Sequence, residues 1–83
     1  MIRVSNDFDL EKLLNYGFEE SETKPVYIHE SKTKNGKYYF IFVDKETRQI
    51  TGSIVGKRIV KINEEKLYKI CKNSFLNEFV IKE

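Results

Sequence analysis

The chain holds one histidine, His29, and one cysteine, Cys71, and no other side chain offers chemistry as specific. A thiol and an imidazole form a nucleophilic pair when they are adjacent in the fold and a third group orients the ring. A structural zinc site needs four ligands, which one Cys and one His do not supply. Cys71 falls on a helical stripe with Leu67, Ile70 and Ser74, the setting of a buried, unreactive thiol. Gly36, Gly52 and Gly56 are spread over turns and strands and form no phosphate-binding loop. Glu19, Glu20 and Glu22 read as a solvated connection. No catalytic constellation emerges. The expectation is a protein that is not an enzyme, with no cofactor and no metal.

Two other groups of residues could bind. Residues 37–43, K-Y-Y-F-I-F-V, are apolar at both alternating parities. Successive strand side chains point to opposite faces, so Tyr38, Phe40 and Phe42 line one face and Tyr39, Ile41 and Val43 the other. Such a strand belongs in the middle of a sheet with both sides covered. The stripe Tyr38, Phe40, Phe42 could stack bases or seat a protein partner, a second copy of the chain included. Alternatively it is core, covered by a C-terminal helix or by residues 79–81, with Val60 and Ile62 on the same face. The basic set Lys32, Lys34, Lys37, Lys57, Arg58 and Lys61 could contact phosphates. Lysines near strand edges and turns also discourage edge-to-edge aggregation.

An 83-residue chain makes one domain, residues 1–83. Apolar content of 40% with eleven aromatic side chains, six Phe and five Tyr, is enough for a core. Charged residues reach 34%, with both signs interspersed, which sets the chain apart from a disordered tail. The net charge of +2 hides an uneven distribution: residues 1–31 carry −4, residues 32–62 carry +6 and residues 63–83 balance. The basic surplus therefore falls on the expected sheet and its turns, although a pI of 8.6 lies below the usual nucleic-acid footprint. One cysteine excludes an internal disulfide and suits a reducing, cytoplasmic setting. The opening M-I-R-V-S-N-D-F has no signal-peptide run, and no stretch approaches membrane-spanning length, so no membrane partner is expected. Abundant Lys, Ile and Asn with no Ala or Trp suggest an AT-rich genome.

A first helix is expected over residues 7–16. Asn6 would cap it, Asp7, Asp9 and Glu11 suit its first turn, and Leu10, Leu13 and Leu14 form an i, i+3, i+4 stripe. Gly17 can take the left-handed position that ends it, with Phe18 packing back on Leu13. Asp9-Leu10 through Leu13 to Tyr16-Gly17-Phe18, read as D-L-x-x-L-x-x-Y-G-F, resembles the opening of short uncharacterised proteins from phages and prophages of low-GC Gram-positive bacteria. The resemblance implies an origin on a mobile element and carries no catalytic residues.

Strands are expected at 26–33, 37–43, 48–55 and 58–62. A two-residue type I′ turn at Asn35-Gly36, a loop at 44–47 and a type II′ turn at Gly56-Lys57 would join them. Asn63 caps a second helix with Glu64 and Glu65 in its first turn, ending between Asn73 and Asn77. Residues 79–81 are a short strand or an extended tail. With the two-residue turn, Val26, Ile28, Ile41, Val43, Ile50 and Ile54 share one face. His29, Ser31 and Thr33 then join Tyr38, Phe40 and Phe42 among Gln49, Thr51 and Ser53 on the other.

The expected fold is α+β: helix, antiparallel meander of three to four strands, helix. That order resembles a double-stranded-RNA-binding domain in outline, but that family has lysines where Glu64 and Glu65 stand. The expected function is a small accessory protein that binds another protein or itself, as a homodimer, and the alternative is a nucleic-acid-binding module using residues 32–62. Basic residues gathered on one exposed face would favour nucleic acid, and basic residues scattered round the rim would favour protein.

Overall fold

A computed structural model describes all 83 residues. The fold is α+β and mostly strands. The order is β1 (Ile2–Val4), a 3-10 helix (Leu10–Tyr16), β2 (Phe18–Glu20), β3 (Val26–Lys32), β4 (Tyr38–Asp44), β5 (Ile50–Val55), β6 (Ile59–Lys61), α1 (Glu64–Lys72) and β7 (Val80–Lys82). Strands β2 to β6 form a five-stranded antiparallel meander in sequence order, with the doubly apolar β4 at its centre. Strands β1 and β7 pair antiparallel as a separate two-stranded sheet. No helix is long and apolar enough to cross a membrane.

The first helix differs from the sequence expectation. It starts at Leu10, and its cap is Asp9, whose side chain accepts the Glu11 N–H at 3.1 Å; Asn6 caps nothing. Residues 5–8 instead make a tight turn that sinks Phe8 into the core, stacked on Phe79 at 4.9 Å. With three residues per turn, only i and i+3 stay in line. Leu10 and Leu13 are therefore buried, and Leu14 turns out to solvent. Gly17 ends the helix at φ 89°, donating its N–H to the Leu13 carbonyl as expected. The polar connection expected after it gives way to β2, where Glu19 pairs with Ile28.

Both expected two-residue turns are three-residue loops. Lys32 faces Tyr38, and the chain turns through Lys34, Asn35 and Gly36. Gly36 adopts φ 79° while Asn35 does not, which is a turn followed by a left-handed residue and not a type I′ turn. Val55 likewise faces Ile59, and Gly56 has no positive φ, so no type II′ turn forms. At 44–47 the loop moves on by one residue. Asp44 Oδ1 accepts the N–H groups of Glu46 and Thr47 at 2.8 Å each, and Arg48 closes the loop at φ 67°. The Arg48 guanidinium donates to the carbonyls of Ser5 and Phe8 at 2.7 Å, which ties the loop to the N-terminal segment.

A one-residue slip exchanges the faces of a strand. Tyr27, His29 and Ser31 thus lie beside Val43, Ile41 and Tyr39, joined by Ile50, Gly52 and Ile54. Val26 and Ile28 pass to the other face, against expectation. Ile41, Val43, Ile50 and Ile54 share one face as expected, and Val60 and Ile62 move over to it.

The core lies on this face. Val43, Ile50, Tyr27, Phe18 and Ile62 are buried against Leu10, Leu13, Leu67, Cys71, Leu76, Ile2, Val4 and Val80. Ile41 is only partly buried, less than expected. Helix α1 begins as the sequence indicates: Asn63 Oδ1 accepts the Lys66 N–H at 2.8 Å, and Leu67 and Cys71 face inward. It packs over Gly52, where a Cβ would stand 3.0 Å from Ile62 Cδ1 and 3.1 Å from Leu67 Cδ1. Beyond the helix, Phe75 stacks on Tyr16 at 4.1 Å and meets the edge of Phe18 at 5.9 Å.

Candidate nucleic-acid interface

The pleat of β4 sends Tyr38, Phe40 and Phe42 to the side of the sheet opposite the core. Neither the buried cluster nor the side chains packed on it include any of the three. The cover expected from the C-terminal helix, residues 79–81, Val60 and Ile62 is absent from this side, because those residues pack or point the other way. The physical cause is the pair of three-residue loops, which set the parity of β3 and β6 relative to β4.

The open face has an ordered composition. Phe40 and Phe42 stack along the strand at 6.4 Å with rings 15° apart. Tyr38 continues the row at the sheet's end, 38% exposed, with Lys32 Nζ 5.9 Å from its ring centroid. On one flank Phe40 and Phe42 face Ser53 and Thr51, two small hydroxyl side chains on β5. Beyond Ser53 stands Lys61 on β6. On the other flank lie Glu30 and Ile28. A planar ring laid on Phe40 would have a hydroxyl and an ammonium on one side and, on the other, the depression that Phe40 shares with Glu19, Glu20 and Glu30.

Six of the eight basic residues of 32–62 are those singled out from the sequence, and none of the six is in an ion pair. Lys32 and Lys61 lie on the open face; Lys34, Lys37, Lys57 and Arg58 lie in or beside the hairpin loops at one end of the sheet. The two loops are close: a Cβ on Gly56 would sit 3.3 Å from Lys37 Cγ. The other two basic residues are engaged at the opposite end. Lys45 pairs with Glu20 at 3.0 Å and lies over the Tyr27 ring, and Arg48 is spent on the carbonyls of Ser5 and Phe8. Asp44 sits at that far end too, its carboxyl held below the usual range by the backbone N–H of Thr47 and then of Glu46. One end of the sheet thus carries basic side chains alone in its loops, while the other mixes Lys24, Lys45 and Arg48 with Glu22, Asp44 and Glu46.

His29 and Cys71 lie on the core side of the sheet. Both line an apolar cavity of about 230 Å³ with Phe18, Ile41 and Phe75. No carboxylate lines it to orient the imidazole. Burial pushes the Cys71 thiol up to about 11, the opposite of the lowered value that a nucleophile or metal ligand needs. No cluster of three or more His, Cys, Asp or Glu side chains could hold a metal ion.

Thr51 and Ser53 were expected on the aromatic face, and the pairing of β4 with β5 sets them directly beside Phe42 and Phe40. A scan against protein-family models, a search of the curated proteins and a search of the solved structures each found no match to this chain.

Proposed function

We propose that the open sheet face binds single-stranded nucleic acid, with bases stacked on Phe42, Phe40 and Tyr38 and phosphates drawn to Lys32, Lys61 and the hairpin-loop cations. The observation that carries this reading is one arrangement: an aromatic row outside the core, flanked by Lys61, runs toward the end of the sheet where Lys32, Lys34, Lys37, Lys57 and Arg58 stand without ion pairs. Stacking accepts any base, and a cationic rim tracks the backbone. A duplex offers no free base faces, so the single strand is the better fit. The protein acts by binding, with no chemistry of its own. A small protein of this kind suits the mobile-element origin that the resemblance of its Asp9 to Phe18 segment implies.

The test is fluorescence anisotropy with labelled single-stranded and duplex DNA and RNA at several salt concentrations. Single strands should bind more tightly than duplexes, and the log–log salt slope should approach −4 if all six cations contact phosphates, at roughly 0.7 per contact. No binding at low salt overturns the reading.

A second reading is supported by the aliphatic residues of the same face. Val26, Ile28, Val55 and Ile59 border the aromatics, and Ile59 is 76% exposed. These side chains suit a protein surface, including the same face of a second copy. Sedimentation velocity over a range of concentrations separates the two, since a homodimer formed through this face would compete with the oligonucleotide.

A further inference from the structure

We infer that the cleft between the two hairpin loops is a separate nucleotide subsite, occupied by a strand that has passed from the open face around the end of the sheet. The inference rests on the single-strand reading of the open face and adds to it a second contact on the core side.

The cleft, about 600 Å³, is walled by Lys37, Lys57 and Arg58 and floored by Ile54 and Val60. Ile54 and Val60 are paired across β5 and β6 on the core side of the sheet. Helix α1 stops short of them: Leu67 reaches Gly52 and Ile62, one row nearer the chain's core. Val60 is left 54% exposed. No acidic residue lines the cleft. An apolar floor takes the flat face of a base, and three cations around it take a phosphate. A nucleotide has both, whereas inorganic phosphate would use the walls alone. The polymer is favoured over a free nucleotide by continuity. Lys37 and Tyr38 are successive residues with opposite parity, so the rim of the aromatic row and the wall of the cleft are separated by one strand end.

The experiment uses the full chain and labelled oligothymidylates of about four and about eight nucleotides, within the range one small sheet domain occupies. The shorter strand fills the open face, and the longer one also reaches the cleft. The expected result is that the longer strand binds at least tenfold more tightly. Val60→Asp, at an exposed position, should remove that gain while leaving the shorter strand within about twofold of its original affinity. Lys57→Ala with Arg58→Ala should lower the salt slope by about 1.4 for the longer strand and by less for the shorter one, at roughly 0.7 per phosphate contact. If Val60→Asp leaves the gain in place, or if both strands weaken in parallel, the cleft is no subsite. Phe40→Ala keeps the two readings apart. If it abolishes binding of both strands while Val60→Asp does nothing, the open-face reading stands and the subsite falls. If Phe40→Ala affects neither strand, the open-face reading fails and takes the subsite with it.

Discussion

Thr33 and Lys37 are joined twice: the Thr33 N–H donates to the Lys37 carbonyl at 2.7 Å, and the Thr33 hydroxyl accepts the Lys37 N–H at 3.0 Å. The Thr33 carbonyl accepts the Gly36 N–H at 3.2 Å, and the Thr33 hydroxyl is the acceptor that the Lys37 N–H uses. This pairing fixes a three-residue loop, and the loop decides which side chains of β3 flank the aromatic row.

Thr33→Val removes that acceptor with little change of shape and should cost about 0.5–1.5 kcal/mol, the net worth of one hydrogen bond. Gly36→Ala meets no steric obstacle, since nothing lies within 4 Å of the added Cβ. Its cost should be about 1–2 kcal/mol, from the left-handed backbone alone. Urea titration measures both. If neither variant shifts the midpoint, the loop does not hold the register.

Gly52→Ala should destabilise by about 1–3 kcal/mol through overpacking. The new methyl would press on Ile62, Leu67 and the Phe40 carbonyl, the last also at 3.1 Å. Side chains can yield, but the carbonyl belongs to the central strand. Loss of amide exchange protection should appear first in α1. A variant as stable as the parent would mean that the helix is not seated on this strand.

Leu13→Ala should cost about 2–5 kcal/mol, because the side chain is fully buried and its removal leaves a cavity. Ile41→Ala should cost less, below about 2 kcal/mol, because Ile41 is partly buried and already borders an open cavity. The reverse order in thermal or denaturant unfolding would place the core elsewhere.

Cys71 should react with a thiol reagent only as fast as the protein opens, because the thiol is buried and titrates near 11. The folded value lies above the unfolded one, near 9, so folding favours the neutral thiol. Stability from this group is intact below pH 9 and falls as the pH rises from 9 toward 11, by up to about 1.4 kcal/mol per pH unit. Cys71→Ser should lose the part of the decline that begins near pH 9, keeping the part at higher pH to which the Tyr27 phenol, raised by burial, contributes. Rapid labelling of the native protein at pH 8 would contradict the burial of the thiol.

Phe40→Ala and Phe42→Ala should separate folding from binding. Both side chains are outside the core, so each loss of stability should stay near 1 kcal/mol, well below that of Leu13→Ala. Each should weaken single-strand binding by about 1–3 kcal/mol, the worth of one stacked base. Unfolding by either change would show that the row is covered in solution, and a homodimer seen by sedimentation would then be the cover.

The sequence by itself determined the features that depend on neighbours within a few residues. The two-parity apolar run made β4 the central strand. Asn63 and Gly17 marked a helix start and a helix end by their own hydrogen bonds and backbone freedom. The basic surplus of 32–62 pointed to six side chains that do stand free of ion pairs. Tertiary structure decided the rest. Strands β1 and β7 are three residues each and exist only because the chain ends meet, with the Met1 and Glu83 backbones bonded to each other. The first helix is a 3-10 helix, and Phe8 ahead of it is buried against Phe79, neither of which any local pattern showed. That Tyr38 is exposed and Phe40 and Phe42 are half-buried outside the core was undecidable from alternation, because alternation says that a strand has two faces and not which face the rest of the chain covers. Here all the covering elements lie on one side, and a single hydroxyl acceptor at Thr33 helps decide which β3 residues share each side, since a strand's side chains change face with every one-residue step in register.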